Sequence, residues 1–340
     1  MIVTLSPYDP QWPTLFNLER DKLLSLLGNS KLKIEHIGST AIPGIIAKPV
    51  IDILIGVEDL NLKSAKLIPL IESLGYRNVP EFKAEFPHRE YFQKNNAEGQ
   101  RTHQIHLVNC PSAAWKKLIL FRDYLIAYPT DAKRYENLKI SLAKKFPESI
   151  PYASGKNTFC QELFKKAFID FSVHTPDAET QRLMGFIPQV ECFDLYKTMF
   201  QDPEFVQCFG VELNDAHLQK ILNRDTGYWN QYGFGPYVWF DKLTHEFIGE
   251  GGLNHAIADN QEEIELTYSL SKNHWGQGYA VEIGKFAIHE AFNQLNLDNL
   301  VCFTSESNHQ SLRVMGKLGF KYEKTFVYAD IPHKLHRIKK

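Results

Sequence analysis

The 340-residue sequence predicts two α/β domains of the α+β kind. Three observations predict them. The chain is long for one core, because single cores stop growing near ~250–300 residues. Its first half sets strand candidates ahead of a run of helices, which reads as a sheet with a helical tail. Its second half holds a strand, a glycine-rich turn and a helix in immediate succession, among further strands. Between the halves, Phe171-Ser172-Val173-His174-Thr175-Pro176-Asp177-Ala178 lacks periodicity and contains a proline, so the linker falls there. The domains are expected at 1–170 and 180–340, joined by 171–179.

Composition narrows the function classes. Hydrophobic residues make up 44% and charged residues 23%, an ordinary globular balance. A net charge of -2 gives no overall pull toward nucleic acid or an anionic membrane, so neither is expected as a partner. Cys110, Cys160, Cys192, Cys208 and Cys302 are scattered and form no C-x-x-C pair. Free thiols in a reducing cytosol are expected, not a zinc ribbon or a disulfide framework, and no metal site is expected. No apolar run approaches the ~20 residues that span a bilayer. Met1 to Pro7 has no basic region followed by an apolar one, so no signal peptide is expected and the protein reads as cytoplasmic.

In the first half, Trp12 to Leu27 has helical spacing of leucines. Lys33 to Ile37 is a short strand candidate. Val50 to Val57 is apolar almost throughout, as a strand buried on both faces would be. Leu60 to Leu74 reads as a helix ended by Gly75. Gln104 to Val108 alternates as a strand does. Ala113 to Tyr128, Asp131 to Phe146 and Lys156 to Phe168 read as helices. In the second half a helix follows Pro188 and another lies near Asn214 to Asn223. Strands follow at 235–240, 246–253 and 263–270, then the glycine turn and a helix over 281–295. A strand at 300–304, a helix over 308–318 and a strand near 320–327 complete the pattern. The ending His333-Lys334-Leu335-His336-Arg337-Ile338-Lys339-Lys340 reads as a short solvated basic tail.

The turn His274-Trp275-Gly276-Gln277-Gly278-Tyr279-Ala280 carries the sharpest chemistry. Backbone N–H groups at a helix start are unpaired, and the helix dipole favours an anion there. Gly276 and Gly278 lack a Cβ, so a phosphate can approach the backbone.

Residues from about Thr180 onward resemble the GNAT acyltransferases, closest to the RimJ/RimL-like branch. The resemblance rests on Thr180-Gln181-Arg182-Leu183, Phe247-Ile248-Gly249-Glu250-Gly251-Gly252-Leu253, Glu265-Leu266-Thr267-Tyr268-Ser269-Leu270 and Trp275-Gly276-Gln277-Gly278-Tyr279-Ala280-Val281-Glu282. Asn308-His309-Gln310-Ser311 and Lys317-Leu318-Gly319-Phe320 complete the set, in the family's order. It implies acetyl-CoA, or a related acyl-CoA, in a V-shaped opening between two strands. The pyrophosphate would sit on the backbone of Trp275, Gly276, Gln277, Gly278, Tyr279 and Ala280. Leu270 would offer its backbone to the pantetheine arm and an N–H nearby to the oxyanion. Asn308 and Ser311 would touch the arm or the thioester end, and Asn308 also fits a plain helix cap. The implied reaction moves an acetyl group to an amine, of a protein N-terminus or a small molecule. Glu265 is the candidate base, directly or through water; the alternative is a solvated strand carboxylate. Glu282 is a second candidate base, or an acid that stabilises its own helix start. Met315 stands seven residues after Asn308, where many GNAT enzymes carry an acid tyrosine. Tyr268 is a substitute donor or a packed strand residue. The acidic run Asp259 to Glu265 suits a cationic amine, or is simply solvated.

Residues from about Val3 to Phe168 resemble the GrpB family, which implies a nucleotidyltransferase-like mixed sheet. The matching residues are Glu35-His36-Ile37-Gly38-Ser39-Thr40-Ala41-Ile42-Pro43-Gly44, Ala47-Lys48-Pro49-Val50-Ile51-Asp52-Ile53 and Arg101-Thr102-His103-Gln104-Ile105-His106-Leu107-Val108. A nucleotide or other phosphate ligand would meet Gly38, Ser39, Lys48 and Asp52, with Arg101 as a further phosphate partner. Active transfer usually needs two or three carboxylates holding metal ions. Leu54 stands two residues after Asp52, where the active pattern has a second acid. His103 and His106 fall on opposite faces of a strand. The leading reading is an N-acetyltransferase with an appended GrpB-like domain. The alternatives are a nucleotidyltransferase-type enzyme with a CoA-sensing half, and a non-catalytic binding protein.

Overall fold

A computed structural model describes every residue except 1–2, 29–31, 85, 169–175, 201, 203–204, 207–213 and 329. Residues 171–175 of the expected linker, and Cys208, lie outside the described residues. The chain divides into two compact units, Met1–His174 with Asn230–Gly233, and Thr175–Trp229 with Phe234–Lys340. Each is α+β and built on a mixed sheet.

In the first unit, α1 (Trp12–Leu27) turns Trp12, Phe16 and Leu23 inward. Next come β1 (Lys33–Ile37), β2 (Ile51–Val57) and α2 (Leu60–Ser73). The Asp59 side chain caps α2 by accepting the Leu62 N–H at 3.0 Å. After β3 (Arg77–Asn78), β4 (Arg89–Asn95) and β5 (Arg101–Asn109) come α3 (Ala113–Ala127), α4 (Pro129–Lys145), α5 (Ser149–Ser154) and α6 (Asn157–Lys166). The strand order is β1-β2-β5-β4-β3, and β2 runs parallel to β5. The two faces of β2 explain its apolar run. Ile51, Ile53, Ile55 and Val57 pack with α1 and α2. Leu54 packs with Ile37 and Val108, and Trp115 of α3 lies against that cluster. β4 escaped the sequence reading because Arg89, Glu90 and Lys94 mask Tyr91 and Phe92, which are buried.

The second unit contains β6 (Ala178–Glu179), β7 (Leu183–Phe186), α7 (Phe193–Phe200), α8 (Asp215–Tyr232), β8 (Pro236–Asp241), β9 (Phe247–Ala258) and β10 (Gln261–Leu270). Then come α9 (Tyr279–His289), β11 (Asn299–Ser305), α10 (His309–Leu318), β12 (Lys321–Tyr328) and β13 (Ile331–Lys339). Eight strands lie in the order β12-β13-β11-β10-β9-β8-β7-β6. Three expectations change here. Ala178 and Glu179, read as linker, form β6, because they pair antiparallel with Gly185 and Met184. The helix over 281–295 stops earlier, and Glu290–Gln294 widens into a π turn. The basic ending is a strand and not a solvated tail. β13 lies between β11 and β12, with Leu335 packed among Val301 and Phe326. Its charges are matched across the sheet: Arg337 reaches Glu263 Oε1 at 2.7 Å.

Among the described residues, Cys110, Cys160, Cys192 and Cys302 are free. No helix among them is long and apolar enough to cross a membrane.

The tightest backbone approach follows β1. Gly38 has φ 71°, and a Cβ there would fall 2.1 Å from Asp52 Oδ2. Gly38→Ala is therefore expected to destabilise the first unit by about 2–4 kcal/mol, combining backbone strain with the displaced carboxylate. Thermal unfolding of the variant should show a transition several degrees lower; an unchanged transition would mean that this turn is free to move.

Candidate functional site

β10 is the element on which the site of the second unit is built. It pairs antiparallel with β9 from Gln261 to Leu270. On its other edge it meets β11 in parallel at Glu265↔Val301. Beyond that pair β10 runs on to Leu270 beside β9, and β11 runs on to Ser305 beside β13. The pairing between the two strands thus ends at Glu265↔Val301, and toward their C-terminal ends they are not paired with each other. Open α/β sheets bind ligands at that end.

The glycine turn closes the end of β10. Ser271 Oγ and His274 Nδ1 share a 2.8 Å hydrogen bond that tightens it. Gly276 and Gly278 have φ of 74° and 84°, a conformation that favours glycine. A Cβ on Gly276 would meet nothing within 4 Å, so the turn faces open space. Gly276, Gln277 and Gly278 are exposed. No side chain caps α9. Its first N–H groups, including those of Tyr279 and Ala280, are free to receive an anion. The Trp275 indole donates to the Leu270 carbonyl at 2.7 Å, which takes up one acceptor on the strand edge.

Arg182 is the residue that sequence reasoning missed. Its Nη1 donates to the Gln277 carbonyl at 3.0 Å, and its guanidinium lies 4.2 Å from the centre of the Tyr279 ring. Glu282 holds it there, accepting from Arg182 Nε and backbone N at 2.7 Å each. Thr180 Oγ1 adds a third bond to Glu282 at 2.6 Å. Burial raises the Glu282 pKa, but these bonds and the Arg182 charge outweigh it and hold the carboxyl below its ordinary range. Glu282 therefore does more than favour its own helix: it fixes a cation at the turn. The four-residue motif around Arg182 was visible, but its partner lies 100 residues away. A cavity of about 610 Å³ beside Gly278 is lined by Arg182, Lys285 and His289. A second, of about 340 Å³, opens beside Gln277 and Tyr279.

After β11, Asn308 caps α10 by accepting the Ser311 N–H at 3.0 Å. The Ser311 hydroxyl lies 2.8 Å from Tyr268 Oη, so a side chain of β10 spans to α10. Burial, then the neighbouring Cys302, holds the Tyr268 pKa far above its usual value. Met315 is fully buried in the apolar core of this unit.

Glu265 sits where the strands part. It is 9% exposed, and Asn254 Nδ2 reaches its Oε2 at 3.5 Å. Burial pushes its pKa up to about 8, against a lowering by Arg224. The sequence did not single out its neighbours. Glu250 on β9 is 4% exposed, and its Oε2 has no hydrogen-bond partner. Burial, then the charge of Asp225, raises its pKa to about 8. Asp225 is buried too, bonded by Arg224 at 2.8 Å and by the Tyr196 hydroxyl at 3.0 Å. The acidic run after Asp259 does not act as one patch. Asp259 pairs with Lys324 at 2.6 Å and Glu263 with Arg337, while Glu265 turns inward.

In the first unit, Gly38, Ser39, Lys48 and Asp52 come together. Gly38 abuts Asp52, and the Tyr135 hydroxyl bonds Ser39 and feels the Asp52 charge. Lys48 feels Asp52 and Arg101. Asp52 accepts from Gln104 Nε2. Leu54 is fully buried in an apolar cluster, so it offers no ligand beside Asp52. His103 and His106 do face opposite ways, as the register of β5 on β2 requires. Among the described residues no group of three His, Cys, Asp or Glu is placed to hold a metal.

Comparison with known proteins follows the same division. Residues 2–166 match the family described as GrpB protein. Residues 189–321 match the acetyltransferase (GNAT) domain. The Glutamate-rich protein GrpB of Alkalihalophilus pseudofirmus is 35% identical over 167 residues, covering 48% of this chain and 95% of that protein. The uncharacterized N-acetyltransferase p20 of Bacillus licheniformis is 34% identical over 158 residues, covering 42% of this chain and 82% of that protein. The crystal structure of a conserved GrpB protein from Enterococcus faecalis superposes with a TM-score of 0.44 at 33% identity, over 48% of this chain and 96% of that one.

The raised carboxylates have a cost that can be measured. An acid whose folded pKa exceeds its unfolded value loses stability as pH rises between the two. For Glu250 that window runs from the ordinary value of 4.5 to about 8. Glu250→Gln removes the loss, so the second unit should gain roughly 2 kcal/mol or more at pH 8 and almost nothing at pH 4.5. Denaturant unfolding of both proteins at the two pH values checks this; equal curves at pH 8 would show Glu250 to be solvated.

Proposed function

Because the chain belongs to the GrpB family over its first half and to the GNAT acetyltransferases over its second, we propose that it transfers the acetyl group of acetyl-CoA to an amine. One observation carries this reading: β10 and β11 part immediately after Glu265, above an exposed glycine turn whose helix start is uncapped. The parted strand edge suits the extended pantetheine arm, which would add to β10 as a short strand. The backbone from Gly276 to Ala280 suits the pyrophosphate, the Trp275 N–H being taken by the Lys272 carbonyl, with Arg182 bringing a positive charge beside it.

The chain's own residues then divide the work. An ammonium cannot attack a thioester until it loses a proton. Glu265 takes that proton, directly or through water, and its raised pKa brings it close to the amine it must deprotonate. A backbone N–H near Leu270 holds the developing oxyanion. The departing thiolate needs a proton, and Met315, buried in the core, has none to give. Tyr268 bears a protonated hydroxyl, held by Ser311. The acceptor is an amine of a protein N-terminus or a small molecule. Nucleotidyl transfer by the first unit is disfavoured, since Leu54 is buried where a second acid would be needed.

Calorimetry on the full chain tests the donor. Wild type should bind acetyl-CoA in the micromolar range, and Gly278→Glu, which adds a side chain and a negative charge to the turn, should abolish binding while leaving most of the thermal stability. No binding by wild type would sink the reading. Glu265→Gln should keep acetyl-CoA affinity and lower turnover at least tenfold. Wild-type turnover should rise with pH and level off above about pH 8, as Glu265 loses its proton. Unchanged turnover in the variant would remove Glu265 from the mechanism.

A further inference from the structure

The first unit gathers more positive charge at one place than its own acids can balance. Lys48 follows the Gly38–Ala47 segment, Lys139 lies on α4, Lys156 follows α5, and Arg101 opens β5. The ammonium groups of Lys48 and Lys156 lie 4.4 Å and 4.9 Å from the centre of one ring, that of Tyr152. Tyr152 is 2% exposed. Neither lysine has an ion pair or a side-chain hydrogen bond among the described residues. Lys139 is 1% exposed and donates to the Ile46 carbonyl. The Nε of Arg101 is buried without a hydrogen-bond partner.

These cations act on one another. Burial first, then Lys156 and Arg101, bring the Lys48 pKa down to about 8. Burial first, then Lys156, brings that of Lys139 down to about 7. Two acids face them. Asp52 is bonded to Gln104 and raised to about 6 by burial. Glu136 is shared with Lys133 and the Ile46 N–H. Counting Lys133, which pairs with Glu136, five cations face these two acids and leave an excess of three positive charges when all are ionised. A stability-driven surface would pair or separate such lysines. Two like charges over one ring, with Lys139 4.8 Å from the centre of the Tyr135 ring, suit a ligand that supplies the missing negative charge.

We propose that Lys48, Lys139, Lys156 and Arg101 form a binding site for a phosphate-type anion, seated beside Ser39 and the turn at Gly38. The ligand is a free phosphate or pyrophosphate, or the phosphate end of an ester. Ser39 supplies a hydroxyl, and Tyr135, bonded to Ser39, holds it. This site is independent of acetyl transfer in the second unit and needs no metal.

Calorimetry and thermal unfolding of the full chain test it, with inorganic phosphate, pyrophosphate and adenosine monophosphate as probes and sodium chloride at matched ionic strength as control. Pyrophosphate or phosphate should raise the unfolding temperature of the first unit by several degrees. Lys156→Gln should weaken that binding at least tenfold, and its ligand-free form should be as stable as wild type or more so, because one repelling charge is gone. Lys48→Gln should behave alike. Free phosphate binding as tightly as the nucleotide identifies a free-anion site, and tenfold tighter binding of the nucleotide identifies an ester; both support the proposal. It is overturned if no probe binds at about 10 mM, if chloride acts as strongly, or if Lys156→Gln loses stability while keeping its affinity.

Discussion

The site of the second unit depends on a strand that is paired fully along one edge and partly along the other. β9 holds β10 through Leu270, whereas β11 meets it at Glu265↔Val301 and departs. A strand that loses its neighbour inside a sheet leaves N–H and C=O groups in need of partners. The protein meets part of that need from a side chain. The Trp275 indole takes the Leu270 carbonyl. The remaining edge can be met by an extended ligand that behaves as a strand. The position of every other feature follows. Glu265 lies at the parting point, the glycine turn continues directly from Leu270, and the start of α10 faces the far edge.

The acids of this unit fall into two groups by environment. Glu282 and Asp241 collect hydrogen bonds from backbone and side chains, and both are held below the ordinary carboxylate range. They are scaffold: Glu282 fixes Arg182, and Asp241 accepts from the Tyr279 hydroxyl at 2.9 Å. Glu265 and Glu250 are buried with few donors and are pushed up. Removing a carboxylate from water without replacing its hydrogen bonds is costly, and a core selected for stability alone would not retain it. Groups perturbed in this way are where proton transfer is expected.

Local pattern made much of the fold legible. α1 and β1 begin and end where the spacing of apolar residues predicts, and β2 is buried on both faces as its composition requires. The glycine turn was legible because strand, turn and helix are contiguous. What local pattern hid was distant pairing. β13 looks like a basic tail until Arg337 meets Glu323 on the adjacent strand and Glu263 two strands away. Arg182 looks like a surface arginine until Glu282 is brought beside it. Glu250 sits inside a motif recognised for its glycines, so its own side chain carried no signal. Its significance comes from Asp225 and Ser269, which only the fold sets around it. Asn308 was readable both as a cap and as a cofactor contact, and its oxygen is in the cap.

A net charge of -2 conceals two opposite local imbalances. In the first unit, Lys48 and Lys156 crowd onto Tyr152, and burial, then Lys156, lowers the pKa of Lys48 and of Lys139. In the second, carboxylates are buried near a single arginine, Arg224. Whole-chain charge describes solubility and long-range attraction, and it says little about either site. Each imbalance is unfavourable in the ligand-free protein, and the two call for opposite remedies. The lysines call for an anion that remains bound, because it removes their mutual repulsion while they keep their protons. The carboxylates can take up a proton and wait, because burial has brought their pKa into the range where protons are exchanged with an amine. The same physical condition, charge without a partner, therefore points to binding in one unit and to proton transfer in the other. The sign of the charge and the ease of its neutralisation decide which.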